Sequence, residues 1–362
     1  MVYVAVLLIV LILLALLRPA DRGGFHDVYF SGINGALKEG TPGLPCIICD
    51  LDRLDRNIAA VTTLTGRTGS LRIVTKSLPS IKLLRYIMER VGTKNIMALH
   101  LPFLPLLLEG LGFDTNVLMG KPLPSGAVRD FFAAQKRKRD AARAVRWLVD
   151  TPERLREHEA LAKDMGLSLN VGIELDIGLE RGGVADTERL SFMLSLLRDS
   201  KFLLFAGFMG YDGHVPHAPP LFRSRRSSVR RAFNRSMDRY RSFYNHAHEN
   251  FPELFTGGQV FNSGGTGTFR FFSADEPVTD IAVGGAFLRP DAYPALSVQG
   301  LEPALFIAAP VLKAFNGFRV PFKVPFQASF LYGTPICVIR SVFTAGDGPA
   351  GSPLPRAFIL LA

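Results

Sequence analysis

This sequence predicts an α/β chain whose strands close into a (β/α)8 TIM-type barrel, and three observations carry that expectation. Short apolar segments alternate with amphipathic helical ones along most of the chain. Apolar strands separated by helices imply a parallel sheet covered on both faces. Eight such strands can be read from residue 71 onward, and eight is the number that closes this barrel. An open, doubly wound sheet is the alternative, but the first turn lacks the G-x-G-x-x-G it would show there.

The elements follow in order. Val2 to Leu17 is an unbroken apolar run, close to the roughly 17–20 residues that cross a bilayer. No basic residue precedes it, while Arg18 and Arg22 follow. Residues 1–18 are therefore expected as an uncleaved transmembrane anchor, single pass, with the body cytoplasmic. Residues 19–41 are expected as a linker. The barrel domain is expected over 42–300. Its first strand, PCIICDLD within 45–52, has no slot in the barrel and is expected to pair with a C-terminal β segment. Cys46 and Cys49 spell C-x-x-C there, and without a second such pair they read as buried thiols.

The barrel strands are LRIVTK (71–76), NIMALH (95–100), NVLMGK (116–121), VRWLVD (145–150), LNVGIELD (169–176), LLFAGFMGY (203–211), QVFNSGG (259–265) and DIAVGGAF (280–287). Between two of them TPERLREHEALAKDMG opens with Thr151 as cap and Pro152 at the first helical position. Residues 301–362 are expected as a small, incomplete C-terminal β domain. From Ala314 to Ala362 that segment holds one acidic residue, Asp347, and no histidine.

Composition narrows the function. With 48% hydrophobic and 20% charged residues the chain is not disordered. Much of the net charge of +10 comes from 135–146 and 222–241, which read as the outer faces of helices. No nucleic-acid motif accompanies them, so no nucleic-acid partner is expected. An anionic membrane surface is the more plausible neighbour.

Barrel chemistry sits at the C-terminal ends of the strands. Those ends offer Lys76, His100, Lys121, Asp150, Glu174 with Asp176, Tyr211, Asn262 with Ser263, and Gly284 with Gly285. The stretch NSGGTGT (262–268) has no large side chain, so its amides can approach an anion closely. Barrel phosphate sites follow the seventh and eighth strands, where this turn and GGAF fall. A phosphate site beside a strand-end lysine suggests pyridoxal phosphate, whose aldehyde condenses with a lysine in a desolvated setting. Lys76 is then the Schiff-base residue; the alternative is an ammonium paired with Glu174 or Asp176.

With these residues in view the chain resembles the fold type III pyridoxal phosphate enzymes, the alanine racemase-like barrels, and within them the D-threonine aldolase and D-serine dehydratase branch. The matching stretches are DLDRLDRNI (50–58), VTKSLP (74–79), IELDIGLERGGV (173–184), GFMGYDGH (207–214), NSGGTGT and GGAF, covering roughly 42–313. The resemblance implies a small-molecule amino-acid substrate, a homodimer, and a set of residue roles. Lys76 carries the cofactor. Arg181 contacts its phenolic oxygen, unless it is a surface arginine. Tyr211 packs on the pyridine face, unless it is core. His214 is a general base near the substrate α-carbon, or else a satisfied loop histidine. Asn262, Ser263, Gly264, Gly265, Gly285 and Ala286 hold the phosphate end. Val283 stands where racemases carry an arginine, which favours the aldolase and dehydratase branch.

The implied activity is aldol cleavage or dehydration of a D-3-hydroxy amino acid. An alanine racemase-type reaction and a non-catalytic pyridoxal phosphate carrier are the alternatives. The aldolase and dehydratase branch builds a divalent-metal site around a C-terminal histidine, and none follows His248 here. No metal is therefore expected. Either the chemistry runs without one, or the tail after about Lys313 is truncated or read out of frame.

Overall fold

Single side chains start several helices where small polar residues precede apolar periodicity. In the computed structural model, Thr151 Oγ1 accepts from the Arg154 amide at 3.2 Å, Asp186 Oδ1 from that of Arg189 at 2.7 Å, and Ser80 Oγ from that of Leu83 at 3.4 Å. Each satisfies an amide that a first turn leaves without an intrahelical acceptor. The structure describes residues 27–310 except 41–42, 66–68, 79, 221–223, 275, 291–292 and 295, together with residues 7, 8, 12 and 357–360.

The described elements run α1 (Val28–Gly40), β1 (Cys46–Asp50), α2 (Leu51–Thr65), β2 (Ser70–Val74), α3 (Ile81–Val91), β3 (Asn95–Ala98), α4 (Leu104–Leu111) and β4 (Asn116–Met119). Next come α5 (Ser125–Ala134), α6 (Lys138–Ala144), β5 (Val145–Val149), α7 (Pro152–Met165), β6 (Leu169–Leu175), α8 (Thr187–Asp199) and β7 (Leu203–Gly210). The last are α9 (Arg225–Asn250), β8 (Val260–Ser263), β9 (Asp280–Val283), α10 (Gly285–Leu288), β10 (Leu305–Ala308) and β11 (Ala357–Leu360).

The chain divides into two units, residues 53–304 and residues 1–52 with 305–362. In the larger, β2 to β9 are parallel neighbours in sequence order, and β9 returns to β2 to close the barrel. Its interior is layered. Val74, Met97, Leu118, Leu148, Met209, Val260 and Ala282 contribute one apolar layer from seven of the strands. Toward the strand N-termini a polar layer takes over. Arg72 is fully buried there, with Nε 2.6 Å from Asp280 Oδ1 and Nη2 3.1 Å from Oδ2. Arg72 Nη1 donates to the carbonyls of Ile96 and Asn116, each at 2.9 Å, and Asn262 Nδ2 donates to Asp280 Oδ1 at 2.6 Å. A buried ion pair with its remaining donors and acceptors met is tolerated; the same pair half-made is not.

In the smaller unit β1 lies between β10 and β11, antiparallel to both. Ile33 and Leu37 of α1 pack with Cys46, Ile48 and Ala308. Both Cys46 and Cys49 are buried free thiols.

Two expectations are corrected. The stretch 19–41, expected as a linker, contains helix α1, which begins as Asp27 Oδ1 accepts from the Phe30 amide at 2.8 Å. Every barrel strand also ends one to four residues earlier than its apolar pattern suggests. A parallel ladder needs a neighbour at each step, and at the barrel mouth the strands part into loops, so Lys76, His100, Lys121 and Asp150 stand beyond the last strand position. The clearest case is DIAVGGAF, where the ladder stops at Val283 and Gly285–Leu288 forms a helical turn.

Among the described residues no helix is long and apolar enough to cross a membrane. Apart from residues 7, 8 and 12, the run Val2 to Leu17 lies outside the described residues, as does 311–356, on which the expectation of an aberrant tail rests.

Candidate functional site

Strand β2 ends at Val74, and the next three residues make a tight turn closed by the Leu78 amide donating to the Thr75 carbonyl at 2.9 Å. Lys76 sits in that turn. Its side chain is exposed, not desolvated as the sequence suggested, because the turn lifts it off the strand end into the mouth of the barrel. There it lines a cavity of about 250 Å³ built from the C-terminal ends of seven of the eight strands and the loops that follow. Asp176 is not turned toward it; Asp176 Oδ1 accepts from the amides of Gly178 (2.9 Å) and Glu180 (3.1 Å), and Oδ2 lies 4.0 Å from Arg239 Nη2.

Those bonds tie the loop that carries Arg181. The loop is closed by Val184, whose amide donates to the Glu174 carbonyl at 2.8 Å and whose carbonyl accepts from the Asp176 amide at 2.9 Å. Gly183 has φ +97°, and a Cβ there would stand 2.6 Å from the Asp176 nitrogen, so the turn needs glycine. Arg181 is thereby placed with its guanidinium carbon 5.4 Å from the centre of the Tyr211 ring, within cation–π range. The Tyr211 ring lies over two glycines: a Cβ on Gly213 would meet it at 2.4 Å, and one on Gly265 at 3.4 Å.

Next to the β2 turn that carries Lys76, the turns after β8 and β9 form a wall of Gly264, Gly265, Thr266, Gly284 and Gly285. The Ala286 amide donates to Thr266 Oγ1 at 3.0 Å, which ties the two turns together. A Cβ on Gly285 would come 3.1 Å from that hydroxyl oxygen and 3.2 Å from the Tyr293 ring. Lys76, Lys121 and Arg181 line the cavity and, among the described residues, no carboxylate does. The excess of positive charge beside a glycine wall suits an anion.

Acids nearby are held toward neutrality. Burial first, then the Asp150 charge, pushes Glu174 up to about 7. Burial pushes Asp212, which is fully enclosed, up to about 7 as well. The Tyr211 phenol is raised, mainly by burial and then by Asp212.

Seven of the residues singled out from the sequence thus line one cavity: Lys76, Arg181, Tyr211, Asn262, Gly264, Gly265 and Gly285. Three do not. Ser263 is buried beside it with its hydroxyl lacking a protein partner, and the Ala286 amide is taken by Thr266. His214 sits behind the Arg181 loop, its Nε2 3.3 Å from Ser236 Oγ, and burial lowers its pKa. Asn262 reaches the cavity wall, but its amide group is committed to Asp280. His100, Lys121, Thr266 and Tyr293 also line the cavity. Of these, His100 and Lys121 were legible as strand ends and Thr266 lay within NSGGTGT, whereas nothing marked Tyr293. Among the described residues no group of three or more His, Cys, Asp and Glu side chains is placed to hold a metal ion.

The family model described as alanine racemase, N-terminal domain, matches residues 49–266. A search of curated proteins finds no match. Similar solved structures include the D-threonine aldolase from Filomicrobium marinum, with a TM-score of 0.58, 18% identity, and coverage of 73% of this chain and 71% of that one. The D-threo-3-hydroxyaspartate dehydratase from Delftia sp. HT23 aligns with a TM-score of 0.57 and 20% identity, over 73% of this chain and 66% of that one. The alanine racemase from Bacillus anthracis with bound L-Ala-P aligns with a TM-score of 0.59 and 16% identity, over 78% and 69%. At these identities the likeness speaks for the fold.

Proposed function

The chain belongs to the alanine racemase N-terminal domain family, whose fold type III enzymes use pyridoxal phosphate, and on that premise we propose that it cleaves or dehydrates a D-3-hydroxy amino acid. The observation that carries this reading is Lys76, exposed at the mouth of a cavity with three cations, no described carboxylate and a glycine wall. The buried, unpartnered Ser263 hydroxyl beside that wall is a further donor in want of an acceptor. These residues fit the cofactor. Lys76 would supply the amine that holds its aldehyde end, and the turns at 264–266 and 284–285 would give close backbone approach to its phosphate. When bound, the cofactor supplies an electron sink for charge developing at the substrate α-carbon.

The chain's own residues do the rest. The Tyr211 ring, backed by Gly213 and Gly265, offers a flat face for a heterocycle. Arg181, held by its tied loop within cation–π range of that ring, brings a fixed positive charge to the same part of the site. Lys121 is a second cation for the substrate carboxylate. His100 lines the cavity and His214 does not, so His100 and the Lys76 amine are better placed to move a proton at the α-carbon. Proton transfer by His214 requires its loop to shift first.

Incubating the reconstituted protein with D-threonine, D-serine and D-alanine separates the readings. Glycine with acetaldehyde means aldolase and pyruvate from D-serine means dehydratase. L-alanine points to the racemase reading, and cofactor uptake with no product to a carrier. The apolar run Val2 to Leu17 supports membrane attachment, and resistance of the full chain to carbonate extraction, lost on deleting residues 1–22, is the expected result. The family resemblance supports a homodimer, which sedimentation measures directly.

A further inference from the structure

A second cavity of about 260 Å³ opens beside the first, between the N-terminal turns of α3 and α4. The two share Lys76, Leu99 and His100 as their common wall. Their chemistry differs sharply. The first is lined by cations and backbone, the second mainly by the hydrocarbon of Leu78, Ile81, Leu84, Phe103, Leu106 and Leu107. Leu78 and Leu84 are at most 1% exposed, whereas Phe103 and Leu106 at the rim are 54% and 58% exposed. A dry pocket with such walls and roughly 150 Å³ of space is enough to hold benzene, so this one is large enough for a phenyl or isobutyl group.

Resting on the reading that an amino acid engages the site at Lys76, we propose that this apolar annex receives the substrate's side chain. The site therefore prefers D-amino acids with aromatic or branched aliphatic side chains over D-alanine. An α-carbon near the Lys76 nitrogen carries a carboxylate and a side chain that must diverge. The carboxylate is drawn to Lys121 in the charged cavity, and the side chain is left the other direction, toward Leu99 and His100. Burying a ring against leucine walls in place of a methyl group favours the larger substrate by at least about tenfold.

The test is a binding titration on the pyridoxal phosphate-loaded protein, read from the cofactor's visible spectrum with D-phenylalanine and D-alanine as probes. The expected result is binding of D-phenylalanine at least about tenfold tighter. In Leu84→Phe, whose ring fills the annex, that ratio falls toward one. Leu84 is almost fully buried and a larger ring there risks the fold, so Leu106→Asp, at an exposed rim position, makes the same test by placing a charge at the mouth, and the ratio again falls. Equal affinity for the two probes in the unaltered protein, or a ratio untouched by both substitutions, overturns the proposal. A Phe103→Ala variant that changes the oligomeric state while leaving the ratio intact also overturns it, because the annex is then an interface between copies. A protein that takes up no cofactor overturns this inference together with the function it rests on, whereas uptake without the preference overturns this inference alone.

Discussion

The two ends of the barrel both hold basic side chains, and they use them in opposite ways. Near the strand N-termini, Arg72 is sealed at 0% exposure and every nitrogen of its guanidinium has an acceptor: Asp280, Asn116, or the carbonyls of Ile96 and Asn116. Arg146, in the neighbouring inward position, is pushed down to about 10 by burial and by Arg72. At the mouth, Lys76, Lys121 and Arg181 are exposed, and no described carboxylate shares their cavity. A cation with all its partners inside the protein belongs to the fold. The cations at the mouth, with no described carboxylate in their cavity and Glu174 near Lys121 and Arg181 held up to about 7, are placed to take an anion from outside.

Substitutions at the two ends test that contrast. The largest effect is expected at the mouth. Lys76→Ala should abolish the visible absorbance of bound cofactor and lower turnover by at least about a thousandfold, since covalent attachment is lost. Borohydride fixation of the cofactor on Lys121 in the unaltered protein would sink the assignment of Lys76. At the other end, Asp280→Ala leaves Arg72 charged and enclosed. Denaturant unfolding should show a loss of about 3–5 kcal/mol, most of it recovered when Arg72 is also replaced, as in Arg72→Met with Asp280→Leu. A double variant no better than the single one would mean that the pair is not the source of the cost.

Asp212 offers a test in pH. Its folded carboxyl holds a proton up to about 7 against an ordinary value of 3.8. Between those values the folded state binds one proton more than the unfolded state, so this group's contribution to stability falls as pH rises through that window. Asp212→Asn should flatten the decline, gaining on the order of 2 kcal/mol at pH 8 relative to pH 4. Parallel pH profiles for the two proteins would count against it. The smallest stability effect is predicted for Arg181→Met, at an exposed position. Its unfolding free energy should stay within about 0.5 kcal/mol of the parent, while cofactor affinity drops about tenfold on titration. Destabilisation as large as that of Asp280→Ala would erase the distinction between the two ends.

Much of the mouth was legible in the residues because its signals are local. A short apolar strand followed by Lys76 and a turn, the Gly-rich NSGGTGT and GGAF, and the LERGGV loop each announce themselves within a few positions. The polar layer was not legible. Arg72 and Asp280 lie 208 positions apart, and an arginine inside an otherwise apolar strand has no local pattern that names its partner. His214 shows the reverse failure, since the neighbouring YDGH residues placed it near the site but not on the correct side of the Arg181 loop.

Local pattern in the residues was enough for the order of strands and helices, the barrel they close, the lysine at the mouth and the glycine turns beside it. Periodicity, capping and backbone freedom act over distances of a few residues, and these features need nothing more. Packing between distant segments set where each strand stops, that 28–40 is a helix packed on β1, that Ala286 serves Thr266, and that a leucine-lined annex shares a wall with the charged cavity. Those outcomes depend on which surfaces meet across the closed barrel and across β1. The free energies of such meetings belong to pairs of residues far apart in the chain.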